Sequence, residues 1–251
     1  MKLIPDIFED FLTGLNWTAP VWSAIYDGSA TTTISLYNIL HLRSGLFVEI
    51  NSVQVEVQSV DYDNNSFVVN GDLSGISEVT LPVPKYFHGT QLATNAKISK
   101  LDDNAKVPMI WLHEVIREDL GDFRSIATTA SLRLFFLDVA NYQDWTTDEH
   151  YAKVIRPMTN LRDYVLQEMR GNGKKFRSVD SATSYAHVKF GQVTERGHFQ
   201  SVFNAKLSGV ELVVDIQARE CQPNRGIIGR QSTELKGGEG FELEMEFDLV
   251  A

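Results

Sequence analysis

The sequence predicts an α+β fold: an antiparallel or mixed sheet packed by a long helix, with an additional small β-rich subdomain. Three observations carry this. Residues 46–50 (LFVEI), 53–60 (VQVEVQSV) and 66–71 (SFVVNG) form short, closely spaced strand-like segments, the first two with apolar and polar side chains alternating at period two. Residues 132–140 (LRLFFLDVA) are an almost unbroken apolar run, as expected of a strand buried on both faces. Residues 146–169 place apolar side chains at helical spacing before the Gly-Asn-Gly of 171–173.

Each element follows in order. Residues 5–15 predict a short helix: Pro5 suits the first turn, early acids suit the positive helix end, and Ile7, Phe8, Phe11 and Leu12 share a face. Residues 16–29 read as an irregular aromatic segment in which Trp17 and Trp22 cover a core edge. From 31 to 84 the spacing predicts a small barrel or sandwich, with DYDNN at 61–65 as a turn and the proline-bearing 78–84 as an edge strand. Residues 108–119 (PMIWLHEVIRED) read as a helix. Thr146 or Thr147 is expected to cap the long helix, and Pro157 to kink or divide it. Residues 174–184 read as a polar loop, 185–193 and 207–217 as strands, with a bulge at Ser208-Gly209. The 23 residues of 218–240 carry no period and read as a long Gly-rich arm. From 241 to 249, Phe, Leu, Met, Phe and Leu alternate with Glu242, Glu244, Glu246 and Asp248, which predicts a half-buried strand with an acidic outer face. The expected units are an N-terminal helix and aromatic segment (1–30), a β-rich subdomain (31–85) and an α+β domain with its arm (86–251).

Composition narrows the function classes. A hydrophobic fraction of 43% supports a packed core, and a net charge of −10 does not draw the chain to nucleic acid. One cysteine, Cys221, excludes an internal disulfide framework. No apolar run reaches spanning length, and Pro5 with early acids does not read as a secretory signal, so no membrane partner is expected.

No catalytic, cofactor-binding or metal-ligating set is predicted. His113-Glu114 lacks the second His of a zinc helix, since Arg117 holds that position. The other histidines are scattered, no Gly-x-Ser-x-Gly elbow occurs, and the glycines of 237–240 precede no phosphate-binding helix. Two features point to contacts instead. Lys174, Lys175 and Arg177 form the densest basic stretch, read either as a solvated helix end or as a loop that meets an acidic neighbour. Ile227 and Ile228, flanked by glycines in the arm, either tuck onto their own domain or plug a neighbour. Ordering such an arm costs about 1–2 kcal/mol per residue, which an extensive, permanent assembly offsets.

The succession YFHGTQLATNAKISK, VPMIWLHEVIRED, SIATTASLRLFFLDVANYQDWTTDEHY, IRPMTNLRDYVLQEM and FNAKLSGVELVVDI, over about 86–217, resembles virion proteins of tailed bacteriophages, especially crAss-like phages. The C-terminal half is similar in layout to tail-terminator and tail-completion proteins. The resemblance implies a non-enzymatic ring subunit of the head-to-tail connector (neck), in closed rings of six or twelve copies. Its partners would be further copies, the portal and adjacent neck or tail rings. DNA would pass through the lumen without specific binding. The chain would be made in the host cytoplasm and reside in the virion. Two other readings stand beside it: a carbohydrate- or protein-binding β module using Trp17, Trp22 or Tyr62, and a hydrolase built from scattered Asp, Glu and His.

Overall fold

Helix α1 (Ile4–Thr13) opens the chain, with Ile4, Ile7, Phe8, Phe11 and Leu12 all buried along one face. Asp6 accepts a hydrogen bond from the Leu3 N–H at 3.2 Å and satisfies a free donor at the helix start. The computed structural model describes residues 3–101, 107–114, 116–119, 128–195, 198–201 and 205–218. The arm beyond Ala218, Ile227, Ile228 and the acidic positions Glu242, Glu244, Glu246 and Asp248 lie outside the described residues.

Six strands then close into a barrel in the order β1-β2-β5-β4-β3-β6: β1 (Thr18–Tyr26), β2 (Thr31–Leu36), β3 (Phe47–Ile50), β4 (Val53–Asp61), β5 (Ser66–Asn70) and β6 (Glu78–Thr80). Alternation fills the interior with Ile34, Leu36, Val48, Ile50, Phe67 and Val69. Asn51 and Ser52, both at positive φ, make the two-residue turn between β3 and β4. Two expectations need correcting here. Residues 16–29 are not irregular, because 18–26 is a barrel strand and the barrel begins upstream of 31. A register shift between Val21 and Ser23 inserts Trp22 as an extra residue, which breaks the period-two signal. Residues 78–84 hold no edge strand: β6 is three residues long and pairs both β1 and β3 across the barrel seam, and the prolines follow it.

The second sheet runs β11-β14-β10-β8-β7, from β7 (Lys85–Gly89), β8 (Met109–His113), β10 (Thr128–Val139), β11 (Phe176–Phe190) and β14 (Leu207–Ala218), with β9 (Arg117–Asp119) also on β10. Among the described residues only β7–β8 pairs in parallel, so the sheet is mixed. Helix α2 (Gln91–Ile98), capped by Thr90, follows β7, and β12 (Gln192–Glu195) with β13 (His198–Ser201) forms a separate hairpin. Met109–His113 and Arg117–Asp119 are therefore strands rather than parts of the helix expected over 108–119. The run Met109-Ile110-Trp111-Leu112 is buried on both faces, and such a continuous apolar run has no period to separate strand from helix. The β10–β14 register is unbroken, so Ser208-Gly209 is not a bulge there; the irregularity lies opposite, in β11 between His187 and Phe190. Gly209 serves close approach: a Cβ on it would meet the Phe136 carbonyl oxygen at 1.9 Å.

The long helix, α3, starts with one α turn at Thr147–His150, widens to π geometry over Tyr151–Ile155 and continues as α-helix over Arg156–Gly171. Thr146 and Glu149 cap it reciprocally. Pro157 lies just after the π segment, where a residue with no N–H and a ring that crowds the preceding turn is accommodated. Met158, Leu161, Val165 and Met169 pack against one sheet face.

Barrel, α1, α3 and this sheet face share one continuous apolar core. Phe11 meets Phe176 edge-on at 5.2 Å, Phe8 meets Tyr86 at 5.8 Å, and Trp17 packs on Tyr164 at 5.5 Å. Arg43, from the barrel, grips buried Asp138 of β10 with two hydrogen bonds of 2.6 and 3.1 Å. Desolvation pushes the Asp138 carboxyl up, and Arg43 opposes that shift. The barrel and the sheet are therefore welded together rather than joined by a linker.

Candidate assembly interface

Strand β11 stands at the end of its sheet. It is 15 residues long, and among the described residues it pairs only with β14. Residues 180–186 are all exposed. A long edge strand presents a row of unpaired N–H and C=O groups, which is a template for another strand. The expected loop at 174–184 is thus mostly strand. Its Ser, Asp and Ala residues have weak strand propensity, and β14, buried along its length, recruits them by needing a partner on both sides.

The two faces of this edge differ. On the α3 side, Ser184 and Ala186 are small, and the space they leave opens a groove of about 630 Å³ between strand and helix. Tyr151, Ile155, Thr159 and Arg162 of α3 form its far wall, with Val210 at its base. The Arg162 guanidinium donates to Ser184 Oγ at 2.6 Å and to Asp163 at 2.7 Å. Arg156 reaches Asp63 of the barrel at 2.7 Å. The π turn at 151–155 sets the angle at which Tyr151 and Ile155 meet the groove.

On the opposite face, Arg133 and His187 converge on Glu211. Arg133 Nε donates to one carboxylate oxygen, and His187 Nε2 lies 2.8 Å from the other. Burial pushes the Glu211 carboxyl up, but the hydrogen bonds and charges of Arg133 and His187 outweigh it and hold it below the usual range. Below this cluster, Phe135 stacks on Trp111 at 4.8 Å and Arg133 lies over the Phe135 ring at 5.1 Å. Tyr185, opposite Glu211 in the register, is 54% exposed. The His–Glu pair resembles half a catalytic triad, yet among the described residues the His187 ring bonds only to Glu211.

A second concavity of about 500 Å³ lies between barrel and α3, beside Arg43, Tyr62, Trp145 and Lys153. Its cations are already engaged: Arg43 by Asp138, and Lys153 by Glu149 at 2.8 Å and by the Trp145 ring at 4.9 Å. Among the described residues no group of three or more His, Cys, Asp or Glu is placed to hold a metal, and no helix is long and apolar enough to cross a membrane.

The sequence candidates are dispersed. Lys174 is exposed in the turn after α3, and Arg177 is exposed at the start of β11. Lys175 turns inward to Asp10 of α1 at 3.7 Å, and Phe176 between them is buried on Phe11. Lys174 and Arg177 are thus left open to solvent while Lys175 is held against α1. His41 and His150 are core residues, and His113 lies on β8. Trp17 is buried and Tyr62 donates to the Leu42 carbonyl at 2.5 Å, so of the three aromatics weighed as binding residues only Trp22 stands clear, at 71% exposure. The groove residues Tyr151, Ile155 and Ala186 escaped the sequence reading; the π turn that presents the first two has no periodic signature. No protein-family model, curated protein or solved structure matches the chain.

Proposed function

We propose that this chain is a structural, non-enzymatic subunit of a homo-oligomeric ring in the head-to-tail connector of a tailed bacteriophage, linking portal to tail and lining the DNA channel. The observation that carries the assembly part is the exposed 15-residue edge strand β11 beside an apolar groove. A ring subunit needs two complementary surfaces that repeat about an axis and close. The single core joining barrel to sheet makes each subunit a stiff block, as a ring wall requires. A net charge of −10 suits a lumen through which DNA passes without sticking. The phage assignment rests on the sequence resemblance over about 86–217. Its partners would be copies of itself, six or twelve to a ring, then the portal and the adjacent neck or tail rings, with the protein residing at the virion neck. Electron micrographs of the full chain, alone and mixed with portal and tail-ring proteins from such a phage, test this. Closed rings that join both partners support it; a chain that neither self-associates nor binds either partner refutes it.

Exposed Trp22 favours a second reading, a glycan- or protein-binding barrel. A glycan array distinguishes them: binding lost on Trp22→Ala supports the module, and an array with no hits removes its carbohydrate form.

A further inference from the structure

The acidic alternating segment 241–249 matches the two faces of the β11 edge. An added strand at this edge places alternate side chains on opposite sides of the sheet. One set enters the groove bounded by Tyr151, Ile155 and Ala186, which wants apolar side chains. The other set joins the polar face where Tyr185 is exposed and His187 meets Glu211. The segment supplies both: Phe241, Leu243, Met245, Phe247 and Leu249 on one side, Glu242, Glu244, Glu246 and Asp248 on the other.

Charge agrees. The segment carries four carboxylates and no cation, whereas β11 carries exposed Arg177 and Lys189 against the single acid Asp180. Reach agrees too. The 22 residues of 219–240 extend up to about 70 Å, more than the roughly 50 Å length of β11, so the segment can leave its own sheet at Ala218 and arrive at another.

We infer that residues 241–249 of one copy add as a strand to the β11 edge of a second copy, apolar side into the groove. Donor segment and acceptor edge are different surfaces of one chain, so the contact is head-to-tail and propagates. This deepens the ring reading, and needs only its self-association.

The test is disulfide trapping in full-length protein with Cys221→Ser. Chains carrying Tyr185→Cys are mixed with chains carrying one cysteine at each position from 242 to 246 in turn. The expected result is a cross-linked pair of unlike chains at one or more of Glu242, Glu244 and Glu246, at least tenfold above Leu243 and Met245. Adding Phe247→Lys to the donor should return the yield to background. Equal yields at all positions, or none, overturn the proposal. So does an internal disulfide in the Tyr185→Cys, Glu244→Cys double variant that persists on dilution without paired chains, because the occupant is then the chain's own segment. Micrographs of the same samples separate the two ideas. Cross-linked open chains keep the docking and sink the ring; closed rings without cross-links do the reverse.

Discussion

Acid should loosen the barrel through His41. This side chain is fully buried, with Nε2 2.7 Å from the Pro82 carbonyl and the Trp17 ring edge-on at 5.7 Å. Its Nδ1 has no hydrogen-bond partner among the described residues. Burial pushes the imidazole down from 6.5 to about 4; the Pro82 hydrogen bond opposes this and the Arg43 charge adds to it. The folded value lies below the unfolded one, so the unfolded chain binds more protons between them. Stability is then intact above about 6.5 and is lost as pH falls toward 4. At about 1.4 kcal/mol per pH unit, the full window is worth about 3 kcal/mol, and the part between pH 6.5 and 5 about 2 kcal/mol. Urea unfolding followed by tryptophan fluorescence at pH 7 and pH 5 measures it. His150 and His113 are also pushed down by burial, so the comparison is with His41→Gln, in which their contribution cancels. The wild type should lose about 2 kcal/mol more than the variant over this interval. Equal losses would show that His41 is hydrated or charged in the folded state, and the reasoning would fail.

Other outcomes follow from packing. Arg43→Met leaves the Asp138 carboxylate buried without its partner and should cost about 3–5 kcal/mol in urea unfolding. If Arg43→Met with Asp138→Leu is as unstable as Arg43→Met alone, the cost does not come from the stranded charge. Gly209→Ala drives a Cβ into the Phe136 carbonyl and should leave little soluble folded protein, whereas Ala182→Gly on the exposed edge should cost about 1 kcal/mol or less. Deleting 222–239 should leave the circular dichroism spectrum and melting temperature near wild type while abolishing assembly; rings from the deleted chain would remove the arm's role.

How much of this the sequence disclosed depended on period. Helix α1, the barrel strands from 46 to 70, β10 and α3 follow from spacing, because each has one buried and one exposed side or a length that decides it, although the irregular turn of α3 falls at 151–155, ahead of Pro157. Three elements hid for physical reasons. Met109–His113 is apolar on both faces, so helix and strand are indistinguishable there. The bulged Trp22 scrambles β1. Strand β11 is held by its neighbour rather than by its own propensity. Of the candidate interface, the acidic alternation of 241–249 is an expectation that lies outside the described residues, whereas the β11 edge and its groove arise from packing of β11 on β14 and α3 that no local pattern encodes. Within the Lys174–Arg177 cluster, Lys175 bends to Asp10, whereas Lys174 and Arg177 stay exposed, a difference that depends on packing against α1 and not on the local sequence.

The central claim is that copies of this chain complete one another. The native mass of the purified full-length chain across a wide range of concentrations tests it most directly. The account predicts a discrete closed assembly at a whole multiple of 28.3 kDa, dispersed by Phe247→Lys with the fold retained. A single 28.3 kDa species at every concentration, unchanged by that substitution, contradicts it.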